Sequence, residues 1–125
     1  MENAAHIIYV VDDDVSVRRS LSRLIRSADL TAHTFASAGE FLESVPPESE
    51  GCLILDVRMS GTSGFELQEK LRAAGSPLRI IFISAFQNPG DSERALEMGA
   101  LGFLSKPFSG EELMTLVRAA LGLEG

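Results

Sequence analysis

The chain has 125 residues, 45% of them apolar, and a formal net charge of −7. That length fits one domain, taken as residues 1–125, with enough apolar residues for a core without disulfide or metal staples. The charge disfavours a nucleic-acid surface, which is usually basic, and a single cysteine, Cys52, excludes a disulfide framework or a cysteine metal cluster.

Short apolar runs alternate with longer amphipathic ones. His6 to Val11 (HIIYVV) reads as a strand rich in β-branched residues. From Asp14 to Ala28, the residues Val17, Leu21, Leu24, Ile25 and Ala28 recur at helical spacing, and Asp14 stands where an N-cap belongs. Thr31 to Phe35 reads as a short strand. A short helix then runs from Ser37 to Ser44, ending before Pro46-Pro47. Cys52 to Leu55 is a buried strand in which the thiol serves as a small hydrophobe. Ser63 to Ala74 is a helix closed by Gly75, Arg79 to Ile83 a buried strand, and Pro89 to Met98 a helix ended by Gly99. Leu101 to Leu104 forms a last strand and Ser109 to Leu121 a last helix. No apolar run reaches the ~18 residues of a membrane span. The N-terminus lacks the basic region and cleavage site of a signal peptide, so the expected location is cytoplasmic.

Five strands and five helices in strict alternation predict an α/β fold with a parallel sheet between two helix layers. In such sheets ligands bind beyond the carboxyl ends of the strands, at the switch point of the strand order. By fold analogy that order is the flavodoxin-like 2-1-3-4-5, a (βα)5 three-layer sandwich with strands one and three at the switch point.

The strand ends carry polar groups. The first strand runs into Asp12-Asp13, the third into Asp56 and the fourth into Ser84; Lys106-Pro107 follows the fifth. Two carboxylates ~5 Å apart repel by roughly 3 kcal/mol at an effective dielectric of ~20. A cleft holding Asp12, Asp13 and Asp56 therefore needs an offsetting charge. Oxygen donors of this kind suit a hard divalent ion such as Mg²⁺, which is satisfied by one or two carboxylates plus water and phosphate oxygens. Lys106 and Ser84 offer a positive charge and a hydroxyl to a phosphoryl group beside it, and Asp56 is a candidate nucleophile. Taken singly, each has a plainer role: Asp12 or Asp13 as helix-start charge, Asp56 as strand-end polarity, Ser84 as a turn residue, Lys106 as a solvated lysine. Their conjunction at four strand ends of one sheet favours a phosphate-and-metal site.

These residues also carry a resemblance. VVDD, LILDVRM, the turn GTSG, FISA and GFLSKPF together resemble the receiver domain of two-component response regulators over essentially the whole chain. The run VRMSGTSGFELQEKL is most similar to the nitrogen-fixation regulator (FixJ) type. The resemblance implies a phosphoacceptor at Asp56 and an Mg²⁺ site from Asp12, Asp13, Asp56 and the backbone carbonyl of Arg58, with Asp13 the direct ligand and Asp12 acting largely through water. It implies a switch hydroxyl at Ser84, a phosphoryl-binding lysine at Lys106 with a cis bond to Pro107, and an aromatic rotamer switch at Phe103. Arg58 and Phe86 border the approach of a hydrolytic water and are the expected modulators of the phosphorylated lifetime. Ser60 stands where the family usually has proline, Ser84 replaces the more frequent threonine, and Phe103 the frequent tyrosine.

The implied partner is a sensor histidine kinase. The implied output surface comprises the fourth helix, fifth strand and fifth helix, where a second copy would pair, with no nucleic acid or membrane contacted by this domain. The arginines at 18, 19, 23 and 26 on the first helix form either a solvated face or a steering surface for that kinase. In the FixJ type a DNA-binding domain usually follows, which leaves open whether this receiver is cut from a longer chain or stands alone. Two other readings compete. A haloacid-dehalogenase-type phosphatase also uses Asp, Mg²⁺, Ser and Lys, and Asp12-Asp13-Asp14 imitates its opening motif, but it would be phosphorylated on Asp12 and needs a further downstream acid that Gly90-Asp91 does not supply. A degenerate receiver would bind partners without phosphorylation.

Overall fold

The computed structural model describes residues 6–59, 61–85 and 88–123. It contains β1 (Ile7–Val11), α1 (Val15–Ser27), β2 (Thr31–Phe35), α2 (Ala38–Ser44), β3 (Cys52–Asp56), α3 (Gly64–Ala73), β4 (Arg79–Ser84), α4 (Asp91–Glu97), β5 (Gly102–Ser105) and α5 (Gly110–Leu121). The strands are all parallel, in the order β2-β1-β3-β4-β5. This is the expected flavodoxin-like sandwich.

Side chains alternate across each strand, so one run of apolar residues feeds two cores. Tyr9, Val11, Leu53, Leu55, Ile80 and Phe82 face Phe41, Phe65, Leu67, Leu71 and Ala95 from α2, α3 and α4. Ile8, Val10, Cys52, Ile54, Ile81 and Ile83 face Leu21, Ile25, Leu113, Met114 and Val117 from α1 and α5. The central strand β3 is buried at every position, whereas β2, at the sheet edge, keeps His33 and Thr34 exposed. Cys52 lies in the second core, where burial pushes its thiol up to about 12; it packs as a hydrophobe.

Four helices begin with side-chain caps, at the expected Asp14 and at the serines where the other three were expected to start. Asp14, Ser37, Ser63 and Ser109 each accept a backbone N–H of the first turn, and Ser63 and Ser109 complete capping boxes with Glu66 and Glu112. The fourth helix differs from the sequence expectation. Pro89 and Gly90 lie in a turn, Gly90 adopts φ 87°, and the helix starts at Asp91 with no side-chain cap bond. Gly90 takes the left-handed backbone at no steric cost but brings no oxygen to cap with. The strands β3 and β4 each run one residue further than expected, to Asp56 and Ser84, because both residues still pair in the sheet.

Candidate functional site

Register brings the polar strand ends together. Val11 pairs with Leu55, Asp56 with Ile83, and Ser84 with Ser105. Asp12, Asp56, Ser84 and Lys106 therefore stand at neighbouring strand ends, at the point where the chain order reverses between β1 and β3.

Asp12 is fully buried, and protein groups satisfy both of its carboxylate oxygens. Oδ1 accepts from the Asp14 backbone N–H at 2.9 Å, and Oδ2 accepts from Lys106 Nζ at 3.1 Å. The Asp12 backbone carbonyl accepts from Arg18 Nη1 at 2.8 Å, which ties α1 to the site. Asp13 is exposed and Asp56 is buried, only 6% accessible. Asp56 Oδ1 accepts from the Arg58 backbone N–H at 3.3 Å, and Oδ2 lies 3.8 Å from Lys106 Nζ. Ser84 is fully buried. Phe103 is half-buried, its ring centroid 6.2 Å from that of Phe82, beside a groove between α4 and β5 lined by Asn88, Pro89, Gly90, Glu93 and Ser105.

Asp12, Asp13 and Asp56 each offer a carboxylate oxygen, and these atoms lie within 4.8 Å of one another. Three anionic oxygens at that separation, one residue open to water, fit a hard divalent cation that keeps part of its hydration shell. Burial raises the Asp56 carboxyl from its ordinary value to about 6, and the nearby Asp12 and Asp13 charges add to this against the opposing pull of Lys106 and the Arg58 N–H. The carboxylate is thus held in a site that penalises its charge until a cation or proton arrives.

The structure brings together the predicted Asp12, Asp13, Asp56, Ser84 and Lys106, and the Lys106-Pro107 bond is cis. The Arg58 side chain points toward α4, where Nη2 lies 3.7 Å from Asp91 Oδ2. Phe86 and Ser60, singled out in the sequence, lie outside the described residues.

Two contributors were not legible as site residues. Asp91 gives no local signal beyond a charge at a helix start. Gly64 lies in the GTSG turn, and its importance is spatial. Its N–H donates to the Val57 carbonyl at 2.9 Å, and a Cβ there would come within 2.3 Å of the Asp56 backbone oxygen and 3.0 Å of Phe82. The signal available was a glycine at a first helical position directly after a serine cap, where a side chain is ordinarily tolerated.

A five-stranded parallel sandwich with an acidic cluster, a hydroxyl and a lysine at its switch point defines a receiver-type α/β domain. Residues 8–118 match the response regulator receiver domain family, and the chain belongs to that family. It is 44% identical over 123 residues to the response regulator protein TodT of Pseudomonas putida, covering 98% of this chain and 54% of that protein. It is 38% identical over 115 residues to the transcriptional regulatory protein FixJ of Azorhizobium caulinodans, covering 92% of this chain and 54% of FixJ. Among solved structures, the response regulator StyR aligns with a TM-score of 0.87 and 45% identity over 93% of this chain and 59% of its own. The chain spans about half the length of the curated relatives it matches. No helix among the described residues is long and apolar enough to cross a membrane.

Proposed function

We propose that this receiver is switched by phosphorylation of Asp56, with the phosphoryl group drawn from a sensor histidine kinase in the cytoplasm. The observation that carries the reading is the convergence of Lys106 Nζ on both Asp12 and Asp56, beside three carboxylate oxygens within 4.8 Å. An Asp56 oxygen attacks phosphorus as the P–N bond of the donor phosphohistidine breaks. The imidazole leaves with that electron pair and takes up a proton. In hydrolysis water attacks phosphorus, the Asp56 carboxylate departs, and the proton passes to solvent.

Each neighbour has a part in this chemistry. Lys106 faces the oxygens on which negative charge gathers, and Asp12 holds it there. The Ser84 hydroxyl donates to a phosphoryl oxygen and draws β4 toward the site. Phe103 follows into the space beside Phe82, which biases the surface of α4, β5 and α5, the face offered to a partner or a second copy. Asp13, Asp56 and the Arg58 carbonyl would hold Mg²⁺, with Asp12 behind a water because both its oxygens already have protein partners. Bound there, Mg²⁺ would neutralise the carboxylates and polarise the phosphoryl oxygens. The domain's contribution to catalysis is its own phosphorylation and dephosphorylation. A phosphatase acting through Asp12 is not favoured, because the family match extends over nearly the whole chain and Asp12 is already committed to Asp14 and Lys106.

The test is incubation with acetyl phosphate and Mg²⁺ followed by intact-mass measurement. The wild-type chain gains one phosphoryl group and Asp56→Asn gains none. Equal labelling of the two proteins overturns the assignment. In the same assay Asp13→Ala loses both labelling and the thermal stabilisation by Mg²⁺; an unchanged thermal shift would move the metal site elsewhere.

A further inference from the structure

α4 is attached to its neighbour by a ladder of polar contacts. Arg72 Nη1 donates to Met98 Sδ at 3.2 Å, Gln68 Nε2 donates to the Ala95 carbonyl at 3.1 Å, and the Arg94 guanidinium lies 4.3 Å from the Phe65 ring centroid. The fourth rung is Arg58 with Asp91, at 3.7 Å. The first three rungs join α4 to α3. The last joins it to the loop that follows Asp56 at the end of β3, since the Arg58 N–H already rests on Asp56 Oδ1.

The two ends of α4 are held differently. Gln68 is buried, and its bond to Ala95 fixes the end of the helix. The start has no side-chain cap, unlike that of α1, α2, α3 and α5. Asp91 Oδ2 is shielded from solvent and accepts no hydrogen bond among the described residues, and the Arg58 guanidinium compensates it. Arg58 itself is half exposed, at 49%, and its side chain is able to swing. A carboxyl oxygen that loses its compensating charge while shielded from water is driven to move into solvent.

We infer that Arg58 is a shared group: it holds the first turn of α4 through Asp91 at rest, and a phosphoryl group on Asp56 takes it over, releasing that turn while the Gln68 end stays docked. A phosphoryl group carries more charge than the Asp91 carboxylate and accepts the guanidinium bidentately. It forms on the residue whose carboxylate already touches the Arg58 backbone. The inference rests on phosphorylation of Asp56 and adds a second route from the site to α4, independent of Ser84 and Phe103.

The experiment is amide NMR of the full chain, with intact mass recorded on every sample. Phosphorylation of the wild type shifts the amides of Asp91, Ser92, Glu93 and Arg94 more than those of Ala95 to Glu97. Unphosphorylated Asp91→Asn and Arg58→Ala both move the first-turn amides part of the way in the same direction, and phosphorylation of Asp91→Asn moves them further by less than half the wild-type displacement. If both unphosphorylated variants keep wild-type first-turn shifts, or if phosphorylated Asp91→Asn shows the full displacement, the shared-arginine inference fails while the phosphoacceptor reading stands. If the wild type gains no mass, the phosphoacceptor reading fails and the hand-over with it.

Discussion

Lys106 Nζ lies 3.1 Å from Oδ2 of Asp12, a fully buried carboxylate 94 residues away in sequence, and 3.8 Å from Oδ2 of Asp56. One ammonium group thus compensates two acids contributed by different strands. Removing one partner of a buried charged pair costs about 3–5 kcal/mol, and the partial exposure of Lys106 puts this pair at the lower end. Lys106→Met should lower stability at neutral pH by about that amount, read from the urea midpoint at constant slope. In an Asp12→Asn background the same substitution should cost much less. Equal costs in the two backgrounds would show that the pairing with Asp12 adds nothing to the stabilisation by Lys106.

Asp56 gives a pH signature of the metal-free chain. Its folded carboxyl is raised to about 6 from the ordinary 3.8. Between those values the folded state holds more protons than the unfolded one, so stability falls as pH rises through the window. At ~1.4 kcal/mol per pH unit the contribution reaches about 3 kcal/mol and levels off above the folded value. With a chelator present, wild type should lose stability relative to Asp56→Asn between about pH 4 and pH 6, then run parallel to it. Urea titrations at a series of pH values measure the difference; a constant gap across that range would show that the fold does not raise the Asp56 carboxyl.

The strand ends were readable from sequence because a parallel α/β sheet forces its polar residues there. Asp12, Asp13, Asp56, Ser84 and Lys106 each follow an apolar run, and the 2-1-3-4-5 order sets them side by side. Helix starts were readable for the same local reason at Asp14, Ser37, Ser63 and Ser109. The start of α4 was not, since Pro89 fits the first position of a helix as well as it fits a turn. Nor could sequence show that Arg58 reaches Asp91, a pairing between segments that only the packing of α4 against the β3–α3 loop creates.

The α1 arginines form a distinct surface. Arg18, Arg19, Arg23 and Arg26 line a groove with Val15, Ser22 and Thr34. Among the described residues no salt bridge involves Arg19, Arg23 or Arg26, although the chain carries a net charge of −7. Arg18 has a structural task at the Asp12 carbonyl, which leaves Arg19 and Arg23 as the cleaner probes. Arg19→Ala and Arg23→Ala should each slow transfer from the cognate kinase several-fold, with a weaker salt dependence than wild type. Labelling by acetyl phosphate should be unaffected. If both donors slow equally, these arginines act on the fold and not on docking.

Gly64 sets how closely α3 approaches the strand that ends in Asp56. Its Cα packs directly over the carbonyl of Asp56, with room for hydrogen only; a Cβ would meet that oxygen at 2.3 Å and the Phe82 ring at 3.0 Å. The oxygen belongs to a buried sheet backbone and cannot yield, so the first turn of α3 would have to move outward. That movement weakens the Gly64–Val57 hydrogen bond and loosens Phe65, which lies 5.2 Å from Phe82 between ring centroids. Overpacking of this kind costs about 1–3 kcal/mol. Gly64→Ala should therefore unfold at lower urea concentration by that margin and label more slowly with acetyl phosphate, because the loop bearing Arg58 shifts with α3. Gly61, at φ 84° with open space around its Cβ position, is the control. Gly61→Ala bears only a backbone penalty of about 1 kcal/mol and should label at nearly the wild-type rate. Equal labelling by Gly64→Ala and Gly61→Ala would show that the approach of α3 to Asp56 does not govern the chemistry.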